Sequence, residues 1–299
     1  MHTRTLAQWL DRPVHTLKAR WRLLTVPALA TLVVHLAMVL AAQSMALGAS
    51  EPGALPGPAD LALIFAVSLG LVPALWVLSE LVTTAGLLEV EEGRQPSFGG
   101  VFRRALQGQV LTAAFVRYLL HAVLFVVSMV TCGLGLFAWL FILMYLPLVI
   151  PAAMREGVGG VGAVKRSMQL TWWRPQGGAS LGSGDRVVVA YHVLVGLTYA
   201  LNSLPSLPSL VWSGLAIWSM VADGSFDPAA LQSGALQSQL TPPIWLVVPV
   251  QLVTTVVGLA ATFYGTQLFL DLHRDLVDAR EGTDFDRALD RLEGASHGA

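Results

Sequence analysis

All but one of the 18 lysines and arginines in this chain fall in four short segments, and long apolar stretches run between them. Leu23–Leu47 is 25 residues without a charged side chain, and as a helix rising about 1.5 Å per residue it exceeds the roughly 30 Å of bilayer hydrocarbon. The composition agrees, because 55% apolar residues with 12% charged cannot clothe a water-soluble surface. The chain is therefore expected to be an all-α integral membrane protein.

Six spans are expected, at about 23–47, 61–88, 110–131, 134–154, 187–203 and 244–272, arranged as three hairpins. Residues 1–22 form an amphipathic segment before this membrane domain (23–272), and residues 273–299 a second one after it. In the first, Leu6, Trp9, Leu10, Val14, Leu17 and Trp21 recur at helical spacing among basic residues, bent or interrupted at Pro13, which suits a helix lying in the headgroup layer. Leu23–Leu47 is too long for the apolar core of a cleaved leader and reads as an uncleaved anchor. Pro73 predicts a kink in the second span. Pro205 and Pro208 break the apolar sequence after the fifth, so Leu210–Ala222 is expected to be a broken, re-entrant or surface helix.

Orientation follows from the basic residues. Seventeen of the 18 lie before the first span, in the loops after spans two and four, and in the tail; residues 48–60, 131–135 and 204–242 carry none. By the positive-inside rule both termini face the cytoplasm of a bacterial inner membrane.

A short phrase closes each hairpin. Glu92-Gly93 is followed by Arg103-Arg104-Ala105-Leu106, Glu156-Gly157 by Lys165-Arg166-Ser167-Met168, and Glu281-Gly282 by Arg287-Ala288-Leu289. Ser97 is positioned to cap a helix carrying Phe98, Val101, Phe102, Ala105 and Leu106 on one face; Val161, Val164 and Met168 do the same in the second copy. In the third, Thr283 and Asp286 resemble a capping box that starts a new helix. Three such copies would form a basic cytoplasmic collar, with Arg103, Arg104, Lys165, Arg166 and Arg287 available to anionic lipid headgroups or a partner protein.

Inside the apolar stretches, Glu80 and Arg117 fall at similar depth, so an ion pair is expected; His121 lies one turn from Arg117 and extends the network. Packing of two hairpins is the plainer use of such a pair, a relay or polar ligand cavity the sharper one. Asp271 and Arg274, with His273 and Asp275, mark the cytoplasmic end of span six; they suit a metal or phosphate site, though helix-end solvation is simpler. No cofactor, catalytic or metal-site pattern is present: a His-Glu-x-x-His helix, a phosphate-binding Gly-Lys loop and a Gly-x-Ser-x-Gly elbow are all lacking. Cys132 is the sole cysteine, which excludes a disulfide framework. No aromatic-interleaved basic groove points to nucleic acid.

Two phrases resemble a known family. Met154-Arg-Glu-Gly with Ala163-Val-Lys-Arg-Ser-Met-Gln-Leu-Thr, and Asp271-Leu-His-Arg with Arg280-Glu-Gly-Thr-Asp-Phe-Asp, are similar to the membrane domain associated with some glycerophosphodiester phosphodiesterases and to related six-span bacterial inner-membrane proteins. Phe269-Leu270-Asp271-Leu272-His273 stands where that family carries tyrosines and an arginine. The resemblance implies a membrane module without the catalytic barrel, which needs roughly 250 further residues. The expected function is thus non-enzymatic, in envelope or lipid-related physiology, with membrane lipids as partners. A small transporter or channel subunit using Glu80, Arg117 and His121 is the alternative, and a membrane-embedded lipid-modifying enzyme a third.

Overall fold

The computed structural model describes residues 6–48, 70–131, 145–172, 186–194, 196, 207–225 and 243–296. All regular structure among them is helical, with no strand. The helices are α1 (Leu6–Ala19), α2 (Thr25–Gly48), α3 (Val72–Glu91), α4 (Phe98–Ala105), α5 (Gly108–Val130), α6 (Val149–Glu156), α7 (Gly160–Trp172), α8 (residues 186–194), α9 (Leu207–Ala222) and α10 (Ile244–Ser296). A 3-10 turn, Trp21–Leu24, joins α1 to α2. Among the described residues one helical stretch, Leu252–Arg280, is long and apolar enough to cross a membrane, and shorter apolar helices occupy Trp21–Val34, Gly108–Leu124 and Leu210–Ala222.

The chain divides into two compact units, one formed by Met1–His35, Leu75–Val193 and Phe263–Ala299, the other by Leu36–Ala74 and Leu194–Thr262. In the first unit a core joins Ala30 and Val34 of α2, Leu81, Val82 and Leu88 of α3, Val101 and Ala105 of α4, Val110 of α5 and Leu270 of α10. Its helices also meet through hydroxyls, Thr31 Oγ1 lying 2.9 Å from Thr83 Oγ1 in a buried contact of the kind that joins helices where water is scarce. A second core gathers Leu148, Leu170, Val187 and Leu272, with Leu10 of α1 packed against it. A third, built from Ala113, Val149, Ala153, Ala163 and Val164, holds α5, α6 and α7 together. In the second unit, Trp212 of α9 meets Trp245 of α10 edge to face at 6.4 Å.

The Glu-Gly phrases owe their structural meaning to glycine. Gly93 has φ 74° and Gly157 φ 70°, a left-handed conformation that stops a helix and that side-chain-bearing residues adopt only at a cost. After α3 the Arg94 N–H donates to the Glu89 carbonyl at 2.9 Å and the Gly93 N–H to the Val90 carbonyl at 3.2 Å, which satisfies two of the last carbonyls. Ser97 caps α4 as expected, its Oγ accepting from Gly100 N at 3.1 Å.

Several expectations need correction. α1 is continuous through Pro13, and it rests on protein: Leu10 and Leu17 pack against the two cores. Pro73 is the second residue of α3 and follows a π-helical turn at Gly70 and Leu71. Leu207–Ala222 is one unbroken helix with Pro208 in its first turn. In α7 the inward face is Ala163, Val164, Ser167, Leu170 and Thr171, while Val161 is 70% exposed. The third phrase does not stop its helix, because α10 runs through Glu281-Gly282 to Ser296 and Thr283 starts nothing. Cys132, residues 61–69 of the expected second span, 134–144 of the fourth, and 195 and 197–203 of the fifth lie outside the described residues.

Candidate functional site

The two phrases that do end helices also close on themselves electrostatically. Arg104 of α4 donates to Glu92 through two nitrogens, at 2.7 and 2.8 Å, and lies 3.4 Å from Glu89. Arg166 of α7 donates from Nε to Glu156 at 2.6 Å. In both copies the second basic residue of the phrase thus returns to the glutamate that precedes the glycine. The hydrogen bonds from Arg104 hold the Glu92 carboxyl below its ordinary range against the opposing effect of burial. For Glu156, burial pushes the carboxyl up, but His273 and Arg166 beside it outweigh burial and keep it low.

This changes the expected headgroup contacts. Arg104 and Arg166 are held by carboxylates within the chain, whereas Arg103 and Lys165 point to the exterior. The side chain of Arg287 lies outside those described.

Glutamates at the ends of α3 and α6 reach α10. His273 Nε2 lies 3.0 Å from Glu156 Oε1, Gln267 Nε2 donates to Glu91 Oε1 at 2.7 Å, and Arg155 pairs with the other Glu91 oxygen. α1 enters the same network. Arg12 Nη1 donates to Asp275 at 3.0 Å, and its Nε lies 3.6 Å from Asp271 Oδ1, the oxygen to which Arg274 also donates at 3.0 Å. Tyr264 Oη donates to the Leu10 carbonyl at 3.1 Å, and Arg20 to the Val90 carbonyl at 3.0 Å.

Asp271 and Arg274 are therefore not simply solvated at a helix end. Asp271 is 1% and His273 2% exposed, and a cavity of about 190 Å³ opens beside them, lined by Arg12, Thr16, Arg20, Glu91, Asp271 and Arg274. No group of three or more His, Cys, Asp or Glu among the described residues is arranged to hold a metal ion. Of this basin, sequence reading singled out Asp271 and Arg274 and missed Arg12, Thr16, Arg20 and Glu91. Arg12 and Asp275 are 263 positions apart, so no local spacing could announce the pair. Glu91 sits among Glu89 and Glu92, where all three read as one exit into water.

The expected Glu80–Arg117 pair is present, and His121 does not extend it through its side-chain hydrogen bond. Arg117 Nη1 donates to Glu80 Oε1 at 2.5 Å, and the His121 Nδ1–H donates to the Arg117 carbonyl at 2.8 Å. Tyr191 of α8, unmarked in the sequence, lies within electrostatic range of both charges. The imidazole is anchored to the backbone one turn before it, which leaves the guanidinium and carboxylate to each other. Compared with protein-family profiles, with curated proteins and with solved structures, the chain matches none.

Proposed function

We propose that the chain is a multi-pass protein of a bacterial inner membrane, with six spans and both termini in the cytoplasm. In this reading it acts as a non-enzymatic membrane module in envelope or lipid-related physiology, and its collar meets anionic headgroups through Arg103 and Lys165. The plan is that of the membrane domain whose phrases it resembles.

The observation that carries this reading is where the apolar surface lies. On α5, Leu111, Phe115, Leu119, Val123 and Val127 recur every fourth residue and stand exposed, Phe115 at 65%. The opposite face, Val110, Ala113 and Ala114, is buried. α9 likewise exposes Leu210, Leu215 and Trp218. Contiguous apolar stripes of this kind are unfavourable in water and fit a hydrocarbon solvent. The lengths support it too: α2 has 24 residues and α5 has 23, each longer as a helix than about 30 Å. The Glu80–Arg117 pair supports packing over transport, because each charge is neutralised by the other.

The test is topological. Cys132, the chain's single thiol, should react with a membrane-impermeant maleimide from the outer face of spheroplasts, and a cysteine placed in residues 48–60 of a Cys132→Ser chain should do the same. Labelling of both only in inverted vesicles would overturn the orientation. Release of the chain by alkaline carbonate would overturn the membrane reading itself.

A further inference from the structure

The cavity beside α10 is lined by Arg12, Arg20 and Arg274 and by two carboxylates, Glu91 and Asp271, and the two signs are not equally available. Glu91 accepts from Gln267 through Oε1 and pairs with Arg155 through Oε2. Asp271 Oδ1 accepts from Arg274 at 3.0 Å and lies 3.6 Å from Arg12 Nε, and Arg12 is also paired with Asp275. Each carboxylate of the lining thus already faces a guanidinium of the chain. Arg20 is different. It donates to a neutral carbonyl, Val90 O, at 3.0 Å and has no carboxylate partner among the described residues.

That bond closes the end of α3, but a guanidinium carries several N–H donors in a fixed fork, and one bond leaves most of them unused. Arg274 likewise gives one nitrogen to Asp271 and stands at the rim, 38% exposed. Thr16 adds a hydroxyl to the lining. Arg12, Thr16 and Arg20 follow one another at intervals of four residues, which sets them along one side of α1 and the turn after it, while Arg274 lines the cavity from α10. Donors that come from two helices around a surplus positive charge suit an anion with oxygens in several directions. A tetrahedral phosphate has that form, and a planar carboxylate does not. The cavity, at about 190 Å³, is several times the roughly 30 Å³ that a water occupies in the liquid, so a phosphate has room to enter.

We propose that this cavity binds the terminal phosphate of a phosphomonoester, its oxygens received by Arg20, Arg274 and Thr16. A monoester presents more free oxygens than a diester and carries about −1.5 to −2 charges near pH 7, which matches a lining whose spare capacity is all in donors. The group can arrive on a lipid or as a free ester. A lipid is one source because Trp21, next to Arg20, stands 64% exposed with the Arg22 guanidinium over its ring, as suits a side chain at headgroup level. Only that source rests on the membrane reading, since the recognition chemistry is the same for both.

Titration calorimetry of the detergent-purified full-length chain with methyl phosphate tests the site, with dimethyl phosphate and acetate as competitors of lower charge or different shape. Methyl phosphate should bind about tenfold or more tightly than either. Arg274→Gln, a change at the exposed rim, should weaken it about tenfold, and Arg94→Gln, an equally charged change at a side chain outside the lining and 55% exposed, should leave it unaltered. Monodisperse elution and an unchanged far-ultraviolet spectrum establish that each variant is folded. Arg20→Lys keeps the charge and a donor for Val90 but loses the fork, and it should show the same loss, so the test stands even where Arg274→Gln does not fold.

Absence of methyl phosphate binding would overturn the site. Equal weakening by Arg94→Gln and Arg274→Gln would overturn it too, by showing a general attraction to positive charge. Equal affinity for dimethyl phosphate would overturn the monoester assignment. Nanodiscs containing phosphatidic acid or phosphatidylglycerol separate the sources, because only the first lipid ends in a monoester. A rise in melting temperature confined to phosphatidic acid and lost in Arg274→Gln assigns the lipid; binding of methyl phosphate without that rise assigns the free ester. The cysteine-labelling and carbonate results are independent of these readings, so failure of the site and failure of the membrane topology are distinguishable.

Discussion

The Glu80–Arg117 contact gives the sharpest quantitative prediction. The two side chains are 24% and 14% exposed and meet at 2.5 Å, so replacing either by glutamine leaves the other as a mostly buried, unpaired charge. Breaking a buried pair costs about 3–5 kcal/mol, and a lone charge at the centre of a membrane helix costs about 2.5–3.5 kcal/mol on insertion scales. Residual exposure lowers both figures, so each single substitution should cost about 2.5 kcal/mol. The double glutamine chain can restore an amide–amide hydrogen bond and should cost about 2 kcal/mol in total, which leaves a coupling of about 3 kcal/mol. That is roughly a hundredfold in the folded-to-unfolded ratio.

Denaturation in mixed micelles of the parent, both single variants and the double variant measures this cycle directly. The double variant should be no less stable than either single one, and folded yield by fluorescence-detected chromatography should follow the same order. Additive losses, which are a coupling near zero, would refute the pairing argument and mean that both charges find water in the folded chain.

Two further predictions concern helix contact and protonation. A Cβ built on Gly86 of α3 would sit 2.5 Å from the Pro27 side chain of α2, so Gly86→Ala should lower stability by about 1–3 kcal/mol through overpacking, measured by the same denaturation and set against Gly99→Ala, where nothing lies within 4 Å. Glu92 and Glu156 are both held below their ordinary pKa of 4.5; a depressed carboxylate stabilises the fold above its unfolded-state pKa, and the contribution disappears as pH falls through the lower folded value. The contribution of these two carboxylates should therefore be lost below about pH 4.5, seen as a drop in melting temperature there that is shallower in Glu156→Gln.

What could be read from residues in order was whatever depends on near neighbours. The Ser97 cap was legible because a cap acts over three residues, and the apolar face of α4 because helical spacing alone places Val101 and Ala105 together. Glu80 and Arg117 were paired from depth, since two charges in apolar helices have few other stable arrangements. The same local logic failed where a helix end is governed by distant packing. Gly93 and Gly157 stop their helices and Gly282 does not, although all three follow a glutamate.

The sequence by itself determined the helical class, the segregation of charge from long apolar stretches and the recurring Glu-Gly phrase, because composition and periodicity act along the chain. Only the tertiary structure decided what the phrase does. It turned Arg104 and Arg166 inward onto Glu92 and Glu156, brought Arg12 from one end of the chain to Asp271 and Asp275 near the other, and buried Asp271 where a solvated helix end was expected. The physical reason is range: an ion pair or a cavity is set by distance in space, and residues 263 positions apart share no pattern that spacing along the chain could reveal.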